Sequence, residues 1–87
     1  MKDGRLGRLR RKLAECDRSL VKVLNERAEL SVCIGRVKTE AQLPVYDPVQ
    51  ERMVLDRMQR MSSGPLTGRQ LAAIFQEVLS VSRALQG

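Results

Sequence analysis

The amino-acid sequence predicts an all-α chain with one long N-terminal helix followed by two shorter ones. Three observations lead there. From Leu6 onward, Leu6, Leu9, Leu13, Cys16, Leu20 and Val23 recur at alternating spacings of three and four, the apolar stripe of an amphipathic helix. The three prolines, Pro44, Pro48 and Pro65, all fall beyond that stretch and punctuate the rest of the chain. Asp47 before Pro48, and Thr67 three residues before Gln70, are helix-start signatures.

The long helix is expected over residues 6 to about 41. Leu, Arg, Lys, Glu and Ala fill most positions off the stripe, and Gly35 is its one glycine beyond the first turn. At about 1.5 Å per residue it is roughly 50 Å long. Its stripe does not stay apolar: the same spacing carried past Val23 lands on Arg27, then on Glu29 to Ser31, on Ile34 and on Val37 or Lys38. Arg27 and Lys38 are about three turns apart and project from nearly one face, their Cα atoms roughly 16 Å apart. Two cations on a core-facing stripe can lean toward a small anion held between them. Met1 to Arg5 reads as a loose start.

Pro44 disfavours helical geometry at Leu43, so Leu43 to Tyr46 reads as an extended connector. The second helix is expected over about 48–61, with Asp47 as N-cap, Pro48 in the first position and Gln50 where a capping-box partner stands. Its apolar side is Val49, Met53, Val54, Met58 and Met61. Ser62-Ser63-Gly64-Pro65 breaks the chain. The third helix is expected over about 68–86, with a stripe of Leu71, Ile74, Phe75, Val78, Ser82 and Leu85. Ser82 intrudes on that stripe, and Gln86 lies one turn further on. A lone serine there would bond back to its own helix, whereas a serine and a glutamine near a basic pair suggest a site. The two short helices together are about as long as the first and cover only one side of it, so a monomer exposes too much apolar surface. A two-fold dimer with antiparallel long helices is the economical solution.

Composition narrows the function. With 87 residues the chain is a single domain, residues 1–87, with a small core. It has two cysteines and no histidine, which argues against a disulfide framework or a zinc site. On one straight helix Cys16 and Cys33 are about 25 Å apart, too far to bridge. Nothing approaches the ~18 apolar residues of a membrane span, and the N-terminus lacks a signal peptide's apolar run, so a cytoplasmic protein is expected. The net charge is +6, with Arg5, Arg8, Arg10, Arg11 and Lys12 clustered at the start. That charge could serve nucleic acid, an acidic membrane or a small dianion. Tyr46 and Phe75 are the only aromatic residues, which disfavours base stacking.

No Gly-rich phosphate loop, metal-ligand cluster or nucleophile beside a base is present. What remains is Arg10, Arg27 and Lys38, the Asp47/Glu51 pair, and Ser82 with Gln86. That set suits a reaction that needs positioning and electrostatic stabilisation but no proton transfer.

The spacing L-R-x-K-L-x-x-x-D-x-x-L-x-x-x-L-x-x-R-x-x-L from Leu9 to Leu30 resembles the all-helical class of chorismate mutases. So do G-R-V-K (Gly35 to Lys38), P-V-Y-D-P-x-x-E-R (Pro44 to Arg52) and the ending I-F-Q-E-V-L-S-V-S-R-A-L-Q. G-P-L (Gly64 to Leu66) and that ending look most like the mutase domain of bifunctional chorismate mutase–prephenate dehydratases, so the chain is either a stand-alone enzyme or an excised domain. The resemblance implies an intertwined homodimer with two shared sites, converting chorismate to prephenate in phenylalanine and tyrosine biosynthesis without a cofactor or metal. It implies that Arg27 pairs with a substrate carboxylate and that Arg10 reaches in from the partner chain. Lys38 and Gln86 would hydrogen-bond the ether oxygen. Glu51 and the backbone at Asp47 would hold the ring hydroxyl, and Ser82 a carboxylate, although a helix cap alone explains Asp47. One position departs: the family usually has arginine immediately before that Glu, where this chain has Gln50.

Alternatives within the fold are an isochorismate–pyruvate lyase and a regulatory mutase-like domain. Closeness to the dehydratase-linked mutases points away from the lyase. From another class, a helical dimerisation or nucleic-acid-binding module rests on the N-terminal basic cluster alone. The expectation is therefore a small-molecule substrate, with neither nucleic acid nor membrane as partner.

Overall fold

The structure, a computed structural model, describes residues 3–87. It contains α1 (Gly4–Glu40), α2 (Pro48–Met61) and α3 (Gly68–Gln86), and no strand among the described residues. The chain divides into two compact units, the first ending at Leu30 and the second comprising Ser31–Gly87, with α1 running through the division.

The first unit is helical from Gly4 onward, so the helix starts earlier than the loose start expected from sequence; Met1 and Lys2 lie outside the described residues. Asp3 explains the early start. Its carboxylate accepts from the Arg5 backbone N–H at 2.9 Å, as an N-cap does, and pairs with the Arg5 side chain at 2.8 Å. The Arg5 side chain, and then its backbone N–H, hold the Asp3 carboxyl below its usual value. The apolar stripe of this unit is open: Leu6, Leu9, Leu13, Leu20 and Val23 are between 51% and 62% exposed.

In the second unit α2 and α3 pack against each other around Val54, Ala72 and Leu79. Burying side chains of Val or Leu size contributes roughly 1.5–3 kcal/mol each. Gly68 permits the approach at one end, since a Cβ there would stand 2.5 Å from the Gln59 carbonyl oxygen of α2. Both caps of the short helices form. Asp47 Oδ1 accepts from the Gln50 backbone N–H at 3.0 Å, and Pro48 takes the first helical position. Only that half of the expected capping box is made at Asp47. Thr67 and Gln70 make both halves at 3.0 Å each.

α1 ends in a Schellman motif. The Leu43 N–H bonds the Lys38 carbonyl at 2.8 Å and the Gln42 N–H bonds that of Thr39 at 3.2 Å, with Gln42 at φ 57°. A side chain in this left-handed region is strained by roughly 1–2 kcal/mol. The turn lets Leu43 and Pro44 lead into the extended connector.

The stripe expected on α3 is met in part: Ser82 is buried and Leu71, Phe75 and Val78 are half-buried, whereas Ile74 and Leu85 stand 50% and 42% exposed. Ala72 and Leu79, off that stripe, are buried, and Gln86 is half-buried. α3 is apolar over more than one face, so periodicity alone did not choose between them. On α2 the same holds: Val54 is buried, but Val49, Met53 and Met61 are more than half exposed.

Candidate active site

The site of the second unit is built where the last turns of α1 meet the last turns of α3. Ser31, Gly35 and Lys38 follow one another at spacings of four and three, so they share one face of α1. Ser82 and Gln86 share one face of α3 for the same reason. Gly35 lets the two backbones touch, since a Cβ there would lie 2.6 Å from the Gln86 carbonyl oxygen and 2.7 Å from its Cα. The glycine disfavoured in a helix by roughly 1 kcal/mol is therefore required by packing.

Two polar rungs flank this contact. On one side Ser31 and Ser82 hydrogen-bond at 2.5 Å with both residues buried. On the other, Lys38 Nζ donates to Gln86 Oε1 at 2.6 Å and to the Val45 carbonyl of the connector at 2.7 Å. Lys38 carries three N–H donors, of which one is left over among the described residues. Because the Gln86 oxygen accepts from Lys38, its amide nitrogen is the outward donor. An ammonium N–H and an amide N–H, held together and charge-assisted, form a donor pair suited to an oxygen that gains negative charge.

A second cluster lies on the connector, α2 and α3. Arg83 Nε is 2.8 Å from Glu51 Oε2, and its guanidinium carbon is 5.3 Å from the centroid of the Tyr46 ring. The N–H is not aligned on that oxygen, so Nε is buried without a hydrogen bond and the pair is held by charge. The Asp47 carboxylate caps α2, and its carbonyl accepts from the Glu51 N–H at 3.1 Å. The cap explanation of Asp47 thus accounts for both groups.

Of the residues expected to form a site, Lys38 and Gln86 are in direct contact, while Ser82 and Glu51 each bond a partner absent from the expectation. Arg10 and Arg27 belong to the first unit, exposed and half-buried respectively. Neither is engaged in an ion pair among the described residues. Arg83 and Tyr46 are not among the expected site residues, and Ser31 is expected on the core-facing stripe of α1 without a role at the site. Ser31 is a small polar residue two turns before Lys38 on the same helix face; no local signal marks Arg83, because its partners come from other segments.

No helix among the described residues is long and apolar enough to cross a membrane. The profile of the chorismate mutase type II family matches residues 9–87. The bifunctional chorismate mutase/prephenate dehydratase of Aquifex aeolicus is 31% identical over 85 residues, which is 93% of this chain but 24% of that protein. The chain therefore spans about a quarter of the length of such relatives. Among solved structures, the form II chorismate mutase of Thermus thermophilus superposes with a TM-score of 0.91 at 32% identity, covering 94% of this chain and 93% of that one. The Helicobacter pylori chorismate mutase in complex with prephenate superposes with a TM-score of 0.87 at 31% identity, covering 97% and 91%. A family match that starts at Leu9 and takes in all three helices, with likeness over more than nine-tenths of the solved chains, leaves one assignment: this chain belongs to the chorismate mutase type II family.

Proposed function

We propose that the chain rearranges chorismate to prephenate, and the observation that carries this reading is the Lys38–Gln86 donor pair. The reaction is intramolecular: an ether C–O bond breaks while a C–C bond forms elsewhere in the same molecule, so neither nucleophile nor proton acceptor is needed. Charge accumulates on the departing ether oxygen. The remaining Lys38 N–H and the Gln86 amide N–H stabilise it there, and donors placed in advance act mainly on the transition state. Arg27 and Ser82 take substrate carboxylates, and Glu51 accepts from the ring hydroxyl with the backbone at Asp47 beside it. The protein's own contribution is a fixed, charged cradle.

The working form is a homodimer in which each site borrows Arg10 from the other chain. Two observations support it. The apolar stripe of α1 from Leu6 to Val23 is open to solvent in the single chain. Arg10 and Arg27 are separated by about 25 Å of helix, too far to share one small ligand within a chain. The cell compartment expected for such an enzyme is the cytoplasm.

Loss of chorismate absorbance with the purified protein, with prephenate identified as the product, tests the activity. Mixing an Arg10→Ala chain with an Arg27→Ala chain tests the shared site. Each alone is nearly inactive, and subunit exchange restores up to one intact site per heterodimer. Confirmed exchange without recovered turnover refutes sharing.

A further inference from the structure

Arg83 has no role in the scheme above, yet it joins three segments that line the candidate site. It follows Ser82 directly and precedes Gln86 by one turn on α3. Its Nε lies 2.8 Å from Glu51 of α2, and its guanidinium stands 5.3 Å over the ring of Tyr46 from the connector. Glu51 is the more enclosed partner, with its side chain 20% exposed against 42% for Arg83. A carboxylate that enclosed, placed to accept a hydroxyl from a dianionic substrate, also repels that substrate's two charges.

We propose that Arg83 is a positioning residue that neutralises Glu51 and so lets a dicarboxylate substrate approach a carboxylate acceptor. The proposal rests on the chorismate reading for the charge of the ligand. Glu51 offers its second oxygen to the substrate hydroxyl while Oε2 faces the guanidinium. The poor alignment of the Arg83 N–H leaves the carboxylate able to turn toward a ligand without breaking an ideal hydrogen bond. The flat guanidinium is held by the Tyr46 ring, a support that a flexible ammonium uses less well. The sequence pattern hides this arrangement because Arg83 and Glu51 are separated by a loop and parts of two helices.

The test is a double-mutant cycle read in KM and kcat separately, with the melting temperature of each variant recorded. Wild-type turnover of chorismate is measured first, and its absence would refute the function rather than this inference. Arg83→Gln should raise KM about tenfold with kcat within about twofold, as expected for one uncompensated charge in a partly solvated site. In a Glu51→Gln background, where no charge is left to neutralise, the same substitution should change KM by less than about threefold. Arg83→Lys keeps the charge and should hold KM within about threefold of wild type. An equal KM effect of Arg83→Gln in both backgrounds would overturn the proposal, as would a KM left unchanged by Arg83→Gln in the otherwise wild-type protein. If Arg83→Gln fails to fold, the Lys variant decides: a tenfold rise in KM with charge retained refutes neutralisation.

Discussion

Replacing Gly35 with alanine perturbs the active-site geometry through a single methyl group. The added Cβ would stand 2.6 Å from the Gln86 carbonyl oxygen, about 0.8 Å short of the 3.4 Å at which ordinary contact begins. Both neighbours are backbone atoms in the last turn of α3, so no side-chain rotation relieves the clash. Either α3 moves away from α1 by most of that distance, or the end of α3 unwinds. Two opposing effects act on stability. Alanine gains roughly 1 kcal/mol over glycine as a helix former, whereas overpacking a close contact costs about 1–3 kcal/mol. The net is a loss of about 0–2 kcal/mol, which shifts the melting temperature by only a few degrees up to roughly 15 °C for a chain of this size. Activity falls much further, because the displaced residue is Gln86 itself and the 2.6 Å bond from Lys38 must lengthen. A misplacement of about 1 Å can cost on the order of a hundredfold in rate. We therefore expect kcat of Gly35→Ala to drop by roughly tenfold to a hundredfold, with a folded protein at the assay temperature. Turnover with prephenate detection and thermal unfolding monitored by circular dichroism measure the two quantities on one sample. A variant with kcat within twofold of wild type and a raised melting temperature would refute the close-approach argument.

Gln86→Glu tests the donor pair directly. A neutral carboxyl can donate to the ether oxygen, whereas an ionised one meets growing negative charge, so the variant should work at acidic pH and lose activity as pH rises through its carboxyl pKa. The wild-type glutamine does not titrate and lacks that limb; equal activity of the variant at pH 5 and pH 8 would remove Gln86 from the oxygen. Ser31→Ala deletes the buried partner of Ser82 and should destabilise the fold by about 1–3 kcal/mol in chemical denaturation, with KM raised more than kcat is lowered because Ser82 then turns back onto its own helix. Gln42→Gly relieves the left-handed backbone at the end of α1 and should stabilise the fold by up to about 1 kcal/mol without changing kcat; a loss of stability would show that the Gln42 side chain matters more than its φ.

The helices themselves were legible in the residues because their limits are decided locally. Asp47 with Pro48, Thr67 with Gln70, and Pro44 after Leu43 act on backbone groups within about four positions; α2 and α3 begin where the first two place them, and α1 ends ahead of the third. Asp3 is the exception that shows the rule, a cap of the same local kind that the reading passed over and that starts α1 at Gly4. Lys38 closes the G-R-V-K motif and Gln86 the C-terminal one, and the fold brings the two into contact. Other relations depend on how far one helix slides and turns against another, which a period of 3.6 residues leaves open. Ala72 and Leu79, off the expected stripe, are buried in α3, whereas Ile74 and Leu85, on it, are exposed, because the way α3 turns against its neighbours selects among its apolar faces. The meeting of Ser31 with Ser82 and of Glu51 with Arg83 follows from that same offset. Gly35 joins the two levels: in the sequence it is a weak residue in a helix, and in the fold its missing Cβ is the space through which α3 approaches Lys38.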